Sequence, residues 1–337
     1  MIIKSASTRT FGFTLVELLM VMGLIGVLVG TGLGLLAGLS PGKRAVAGLI
    51  EETLRLSQHS AAVLGMPARV NLSGEEIQAQ IMRPVGTWHF EERSLVGALE
   101  LEGAWLGPTD PPFVSQGYEG HALDLGAGAP GVMEISVASD PAFDWSNGFS
   151  IRCALRVDDW QDSILLQMGT GLLVALSSHG AVGVEFRAVA TDEAGNESRG
   201  PRIAAQTEAG VMAQGRWKRL EIVYDLHSLR ILVDGIERVR RPEVARVWIG
   251  EPEIIVSSKV RPFPGLLDRL VFYVQEVLPM RPLPGGARFL PTSPGQVVFA
   301  PGGGLDPLLH PGELKIGWDL GEGDQEFLRV GLQGNTE

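Results

Sequence analysis

The 25 residues from Leu18 to Gly42 include no charged side chain. At about 1.5 Å rise per residue, a helix of that length exceeds the ~30 Å hydrocarbon core of a bilayer. The stretch therefore reads as a membrane span. Lys4 and Arg9 precede it and put the N-terminus on the cytoplasmic side. Lys43 and Arg44 follow it, so charge bias alone is not one-sided. Glu17 stands as a lone acid at the start of the apolar run. Such a residue costs about 2.5–3.5 kcal/mol at a bilayer centre and less near the interface, and it calls for a partner charge.

A secretory signal places its small-residue cleavage site after the apolar run. Here a processing-like stretch, Arg9-Thr10-Phe11-Gly12-Phe13-Thr14-Leu15-Val16-Glu17, comes before it. The motif GFTLVELLMVMGLIGVL resembles the prepilins of type IV pili, type II secretion pseudopili and competence filaments. The resemblance implies that residues 1–12 are a leader, cut by prepilin peptidase between Gly12 and Phe13. It implies N-methylation of Phe13, and a Glu17 that meets the positive Phe13 terminus of a neighbouring subunit during assembly. Pairing with an ammonium is also where a buried carboxylate costs least. Residues 13–40 would then be the transmembrane and filament-core helix, single-pass in the bacterial inner membrane. The head would be exported, and the filament extracytoplasmic and built with other pilin or pseudopilin subunits.

Beyond Ser40-Pro41-Gly42, the residues Val46, Leu49, Ile50, Thr53, Leu54, Ser57, Ala61 and Leu64 recur at helical spacing. They form a stripe that should pack on a sheet. Gly65 and Pro67 end the helix. Arg69–Leu72 and Glu76–Arg83 read as strands around a Ser73-Gly74 turn. The segment RLSQHSAAVLGMPARVNL resembles the H-type minor pseudopilins.

From about residue 96 to 276 the texture becomes short strands and turns. Strands are expected at 121–125, 149–157, 164–168, 172–177, 182–188, 217–224, 228–233 and 270–274. Asp234-Gly235 is a two-residue hairpin turn, and Ala194-Gly195-Asn196 marks another turn. The run GYEGHALDL, NGFSIRCALRV, GRWKRLEIVYD, LRILVDGIE and FPGLLDRLVFY resembles, in order and spacing, the laminin-G-like, concanavalin A-like jelly rolls. The tail strands at 296–299, 313–318 and 327–330 resemble the last strands of the H-type pseudopilin head. The expected fold is α+β: a long N-terminal pilin helix packed on a small antiparallel sheet, plus an all-β jelly-roll sandwich. The layout is pilin head at 41–95, jelly roll at 96–280 and returning head strands at 283–337. A rival layout strings pilin, jelly roll and disordered tail end to end.

The net charge of −11 and pI near 5.1 argue against nucleic acid as the main partner. Arg238, Arg240 and Arg241 form a short basic run that reads as a solvated strand end. Cys153 falls in the alternation Phe149, Ile151, Cys153, Leu155, Val157 and reads as a buried small hydrophobe. Glycanases of the concanavalin A-like class use alternate carboxylates in one cleft. Glu322, Asp324 and Glu326 imitate that spacing but lie outside the jelly-roll region and read as a solvated turn. None of His59, His89, His121, His179, His227 and His310 has paired ligand spacing. Trp145, Trp160, Trp217 and Trp248 could serve a sugar site. Core packing is the expectation for Trp217, and Trp160 is expected to be the exposed one. Laminin-G-like domains often hold calcium, and Asp140, Asp144, Asp158 and Asp268 are candidates by position, with Asp268 read as a turn or hydrogen-bonding residue. No catalytic residue and no cofactor are expected. The expected function is a minor pilin or pseudopilin displaying a lectin-like domain that binds a glycan or protein, for adhesion or secretion cargo recognition. The alternative is a tethered glycan-processing enzyme.

Overall fold

A computed structural model describes residues 41–98, 101–126, 131–137, 143–248, 253–321 and 325–336. Gly12, Phe13, Glu17 and the apolar segment 13–40 lie outside these residues, as do Asp140, Glu322 and Asp324. Among the described residues no helix is long and apolar enough to cross a membrane.

The described residues are mostly strand, and among them is one α-helix, α1 (Pro41–Leu64). The first strands are β1 (Ala68–Ser73), β2 (Glu76–Trp88), β3 (Gly103–Trp105), β4 (Phe113–Val114), β5 (Ala122–Asp124) and β6 (Met133–Ser136). Next come β7 (Phe149–Val157), β8 (Ser163–Met168), β9 (Leu172–Leu176), β10 (Val182–Thr191) and β11 (Glu197–Gln206). Then follow β12 (Trp217–Tyr224), β13 (Ser228–Val233), β14 (Ile236–Pro242), β15 (Glu253–Val256) and β16 (Gly265–Val277). The last are β17 (Arg281–Pro282), β18 (Arg288–Phe289), β19 (Gln296–Phe299), β20 (Leu314–Asp319) and β21 (Gln325–Val330).

Two antiparallel sheets form a sandwich. The larger runs β14-β13-β12-β7-β16-β2-β1-β19, and the smaller runs β11-β10-β9-β8-β15-β6-β3. Period-2 alternation aims Phe149, Ile151, Cys153 and Leu155 of β7 into the core shared with Val174, Val184, Phe186 and Ile254 of the other sheet. Aromatic rings cross between the layers: Phe186 lies 4.6 Å from Tyr224 and 6.0 Å from Phe149. Cys153 is buried there, and burial pushes its thiol up to about 12.

The same large sheet continues past β2 into a second core. Val46, Ile50, Leu54 and Ala61 of α1 pack with Val70, Ile77, Val297, Phe299, Ile316, Trp318 and Val330. This is the stripe that the helical spacing traced. Gly65 takes φ +61°, the left-handed conformation that closes a helix without steric cost. β2 serves both cores: Ile77 lies in the helix-covered one, Val85 and Trp88 in the sandwich.

Several elements differ from expectation. β2 runs five residues past Arg83 because it pairs with β16 as far as Trp88, and β16 begins at Gly265 because its first residues pair with β7 and β5. β11 has no legible signal, since Gly200, Pro201 and its charged residues sit on a largely exposed edge strand. Asp234 (φ 54°) and Gly235 (φ 78°) form the expected hairpin between β13 and β14. Trp217 is half-exposed rather than core, with its ring edge-on to Tyr118 at 6.1 Å. Trp160 is half-buried against the sandwich core, close to Gly180.

The large sheet curls, and this brings together residues that strand order separates. Arg69 of β1 reaches Asp225 at the β12–β13 turn, with its Nη1 donating to the Asp225 carbonyl at 3.5 Å. Arg230 donates to Asp225 Oδ2 at 3.3 Å. Arg69, Asp225 and Arg230 are all buried. Two guanidiniums around one carboxylate, far from water, require these contacts to be kept. Burial pulls the Arg69 guanidinium down from its usual value. Its Nη1 also lies 2.9 Å from His227 Nε2, which can accept only while that nitrogen is unprotonated.

Candidate functional site

On the face of the large sheet turned away from the sandwich core, the alternate residues Arg152 and Ala154 of β7 floor a cavity of about 390 Å³. Arg219 of β12 and Val271 and Tyr273 of β16 continue the floor. Thr87, His89 and Tyr118 stand at its edge.

The rim is held by a buried carboxylate. Asp268 is fully buried, and it accepts the Glu119 N–H at 3.0 Å and the Arg269 N–H at 2.7 Å. Burial pushes its carboxyl up, against the pull of these N–H groups. The β16–β7 register shifts between Asp268 and Val271, and Arg269 there adopts φ 50°. A left-handed arginine in a bulge is a strained arrangement, and it re-aims the side chain. The consequence is that Tyr118 and Arg269 are both presented at the mouth of the cavity.

Three guanidiniums converge. Arg152 pairs with Glu221 at 3.2 Å and lies 5.7 Å from the centre of the Tyr273 ring. It also donates to the carbonyls of Leu64 and Gly65, both at 3.2 Å, so it caps the C-terminus of α1 with a cation. Burial pushes the Glu221 carboxyl up, and Arg152 pulls it back. Arg269 pairs with the exposed Glu119 at 2.5 Å. Arg219 is exposed and makes no ion pair among the described residues.

A second concavity of about 520 Å³ lies on the outer face of the smaller sheet, floored by Leu173, Ala175, Gly183 and Ala204. Its Arg202 is paired with Glu185 at 2.5 Å, and it has no aromatic lining.

The residues singled out from sequence fall in several places. Asp144 caps the turn at Trp145–Asn147 by accepting the Ser146 N–H at 3.0 Å. Asp158 pairs with Arg156 at 2.8 Å. Asp268 holds the rim just described. These three stand apart from one another, and among the described residues no three His, Cys, Asp or Glu side chains gather as metal ligands do. Arg238, Arg240 and Arg241 are each drawn to a carboxylate, Glu208, Glu237 and Glu243 respectively. Glu326 lies on β21 rather than in a turn, and Lys43 of α1 pairs with it at 2.9 Å. Of the six histidines only His89 lines the large-sheet cavity. Tyr118, Arg152, Arg219 and Arg269 were not singled out from sequence. The one legible sign was the G-x-x-D spacing of Gly265 and Asp268, which marks the strand but not the cavity.

Neither a known protein family nor a curated protein matches the chain. Solved structures similar to it include domain 4 of AbnA, a GH43 extracellular arabinanase from Geobacillus stearothermophilus, in complex with arabinotriose. That match has 15% identity and a TM-score of 0.43, covering 59% of this chain and 95% of that one. The binding domain of Paraclostridial Mosquitocidal Protein 1 matches at 14% identity and a TM-score of 0.43, over 58% and 49% of the two chains. The botulinum neurotoxin serotype G binding domain matches at 10% identity and a TM-score of 0.41, over 59% and 48%. The chain thus spans about half the length of these two toxin domains, and at such scores the likenesses carry no functional argument.

Proposed function

We propose that this chain is a filament subunit of the type IV pilin and pseudopilin class that displays its β-sandwich as a binding module for a glycan or a protein. The observation that carries the reading is the sequence Gly12-Phe13-Thr14-Leu15-Val16-Glu17 leading into an uncharged segment of membrane-spanning length. The helix α1, whose apolar stripe lies on β1, β2 and β19 at one end of the large sheet, supports it, because a helix laid on antiparallel strands suits a pilin head. In this reading prepilin peptidase cuts after Gly12, residues 13–40 hold the subunit in the inner membrane before assembly, and Glu17 pairs with a neighbour's Phe13 terminus. The sandwich binds rather than catalyses. Of the three carboxylates that imitate a glycanase spacing, Glu326 is the one among the described residues, and Lys43 engages it.

Mass spectrometry of the chain from cells with and without prepilin peptidase tests the reading. Loss of residues 1–12 and one added methyl on Phe13, only with the peptidase present, is the expected result. An intact N-terminus, or a cut within the apolar run, would overturn it.

A further inference from the structure

We infer that the cavity on the outer face of the large sheet binds a carboxylate-bearing saccharide. The inference rests on the reading of the sandwich as a displayed binding module and names the ligand class of that module.

Four observations point the same way. The cavity of about 390 Å³ has the size of a small-ligand pocket, enough for one or two sugar rings. A protein partner would instead need a patch of roughly 800 Å² on this surface. Its charge is locally opposite to that of the chain. Glu221 and Glu119 pair with Arg152 and Arg269, whereas Arg219 makes no ion pair among the described residues and feels Glu221 and Asp234 only at longer range, so the lining is cationic on a protein of net charge −11. A planar guanidinium fork matches a carboxylate with two parallel hydrogen bonds. Tyr118, 38% exposed and steadied edge-on by Trp217, offers a ring face and a hydroxyl beside that fork. An amphipathic ring of this kind suits a sugar, which has one apolar face and a polar edge. Finally, the rim is pre-organised: buried Asp268 fixes the backbone at Glu119 and at left-handed Arg269. Less ordering entropy is then lost on binding.

The pairing of Arg269 with Glu119 is exposed, and such solvated pairs are weak. An incoming carboxylate can displace Glu119 at little cost. Arg152 is committed to Glu221 and to the end of α1, so it serves as the wall of the site and leaves Arg219 and Arg269 to the ligand.

The test is calorimetric titration of the full chain in detergent micelles with trigalacturonate, neutral galactotriose and triglutamate. Trigalacturonate should bind at least about ten-fold more tightly than galactotriose, and less tightly as salt is raised. Arg219→Gln should weaken it roughly ten- to hundred-fold, and Arg219→Lys by less, because charge is kept and the fork is lost. Tyr118→Ala should weaken both saccharides. Both residues are exposed, so these variants keep the fold. Equal affinity for the neutral and acidic sugars, indifference to Arg219→Gln, or triglutamate binding in place of trigalacturonate would each overturn the inference. So would failure of all three probes. The subunit reading is judged separately, by processing at Gly12–Phe13.

Discussion

The two ends of the large sheet are covered in different ways. At one end a single helix lies on β1, β2 and β19. At the other the smaller sheet lies on β7, β12 and β16. The helix brings a narrow stripe, and its flanks are sealed by the late strands β20 and β21. The opposing sheet brings a broad apolar face, and its Phe186 completes a ring cluster with Trp145, Phe149 and Tyr224. A sheet end under one helix is cheap to build but small, whereas a sandwich buries most of two faces. Yet neither core is sealed off from the other. β2 threads both, and the buried Arg69–Asp225–Arg230 contacts tie β1 to the β12–β13 turn.

This coupling predicts one cooperative unit, and the largest effects test it. Trp88 is buried, donates to the Leu95 carbonyl at 2.9 Å, and lies edge-on to Phe272 at 5.7 Å. Trp88→Ala should cost about 3–5 kcal/mol. Hydrogen exchange should then speed up together in α1 and in β7. Acceleration confined to the sandwich would show that the two cores melt apart. Leu54 lies at the centre of the helix-covered core, and Leu54→Ala should cost about 2–5 kcal/mol. Denaturant unfolding should stay a single transition shifted to lower midpoint. A new early transition seen only in α1 would sharpen the comparison into two units of unequal stability.

The smallest effect is acid sensitivity at the helix-covered end. His310 is buried, and its Nε2 accepts the Val298 N–H at 3.0 Å. Burial holds its pKa below the ordinary imidazole value, although Asp306 pulls it up. The unfolded chain therefore takes up a proton at a pH where the folded chain resists. Stability should fall as pH drops from about 6.5 towards the depressed folded value, and level off below it. His310→Gln, which keeps an acceptor, should flatten that slope in thermal melts between these limits. An unchanged slope would place the acid sensitivity elsewhere, with His227 beside Arg69 the next candidate.

Strands with clean alternation and a marked turn were legible: β7, β12 and β13 have the bounds that the pattern predicts, and Asp234-Gly235 turns the chain into β14 as expected. The α1 stripe was equally readable, because its spacing repeats over about five turns from Val46 to Leu64. β3, β6, β11 and β15 were not, being short or exposed and drawing stability from neighbours rather than from propensity. The candidate cavity was nearly invisible. Tyr118, Arg152, Arg219 and Arg269 come from four separate segments, and each alone looks like an ordinary surface residue.

What the amino-acid order determined by itself is local: an uncharged run long enough to span a bilayer, with one acid at its head; a helical stripe; and strands whose period is two. These depend on neighbours a few residues apart, so composition and spacing suffice to specify them. What only the tertiary structure decided is long-range: that β2 belongs to two cores, that the sheet curls to set Arg69 against Asp225, and that a buried Asp268 aims Tyr118 and Arg269 at one cavity. Such contacts depend on how sheets twist and close on each other. Periodicity says which side chains face inward, but not which of them meet.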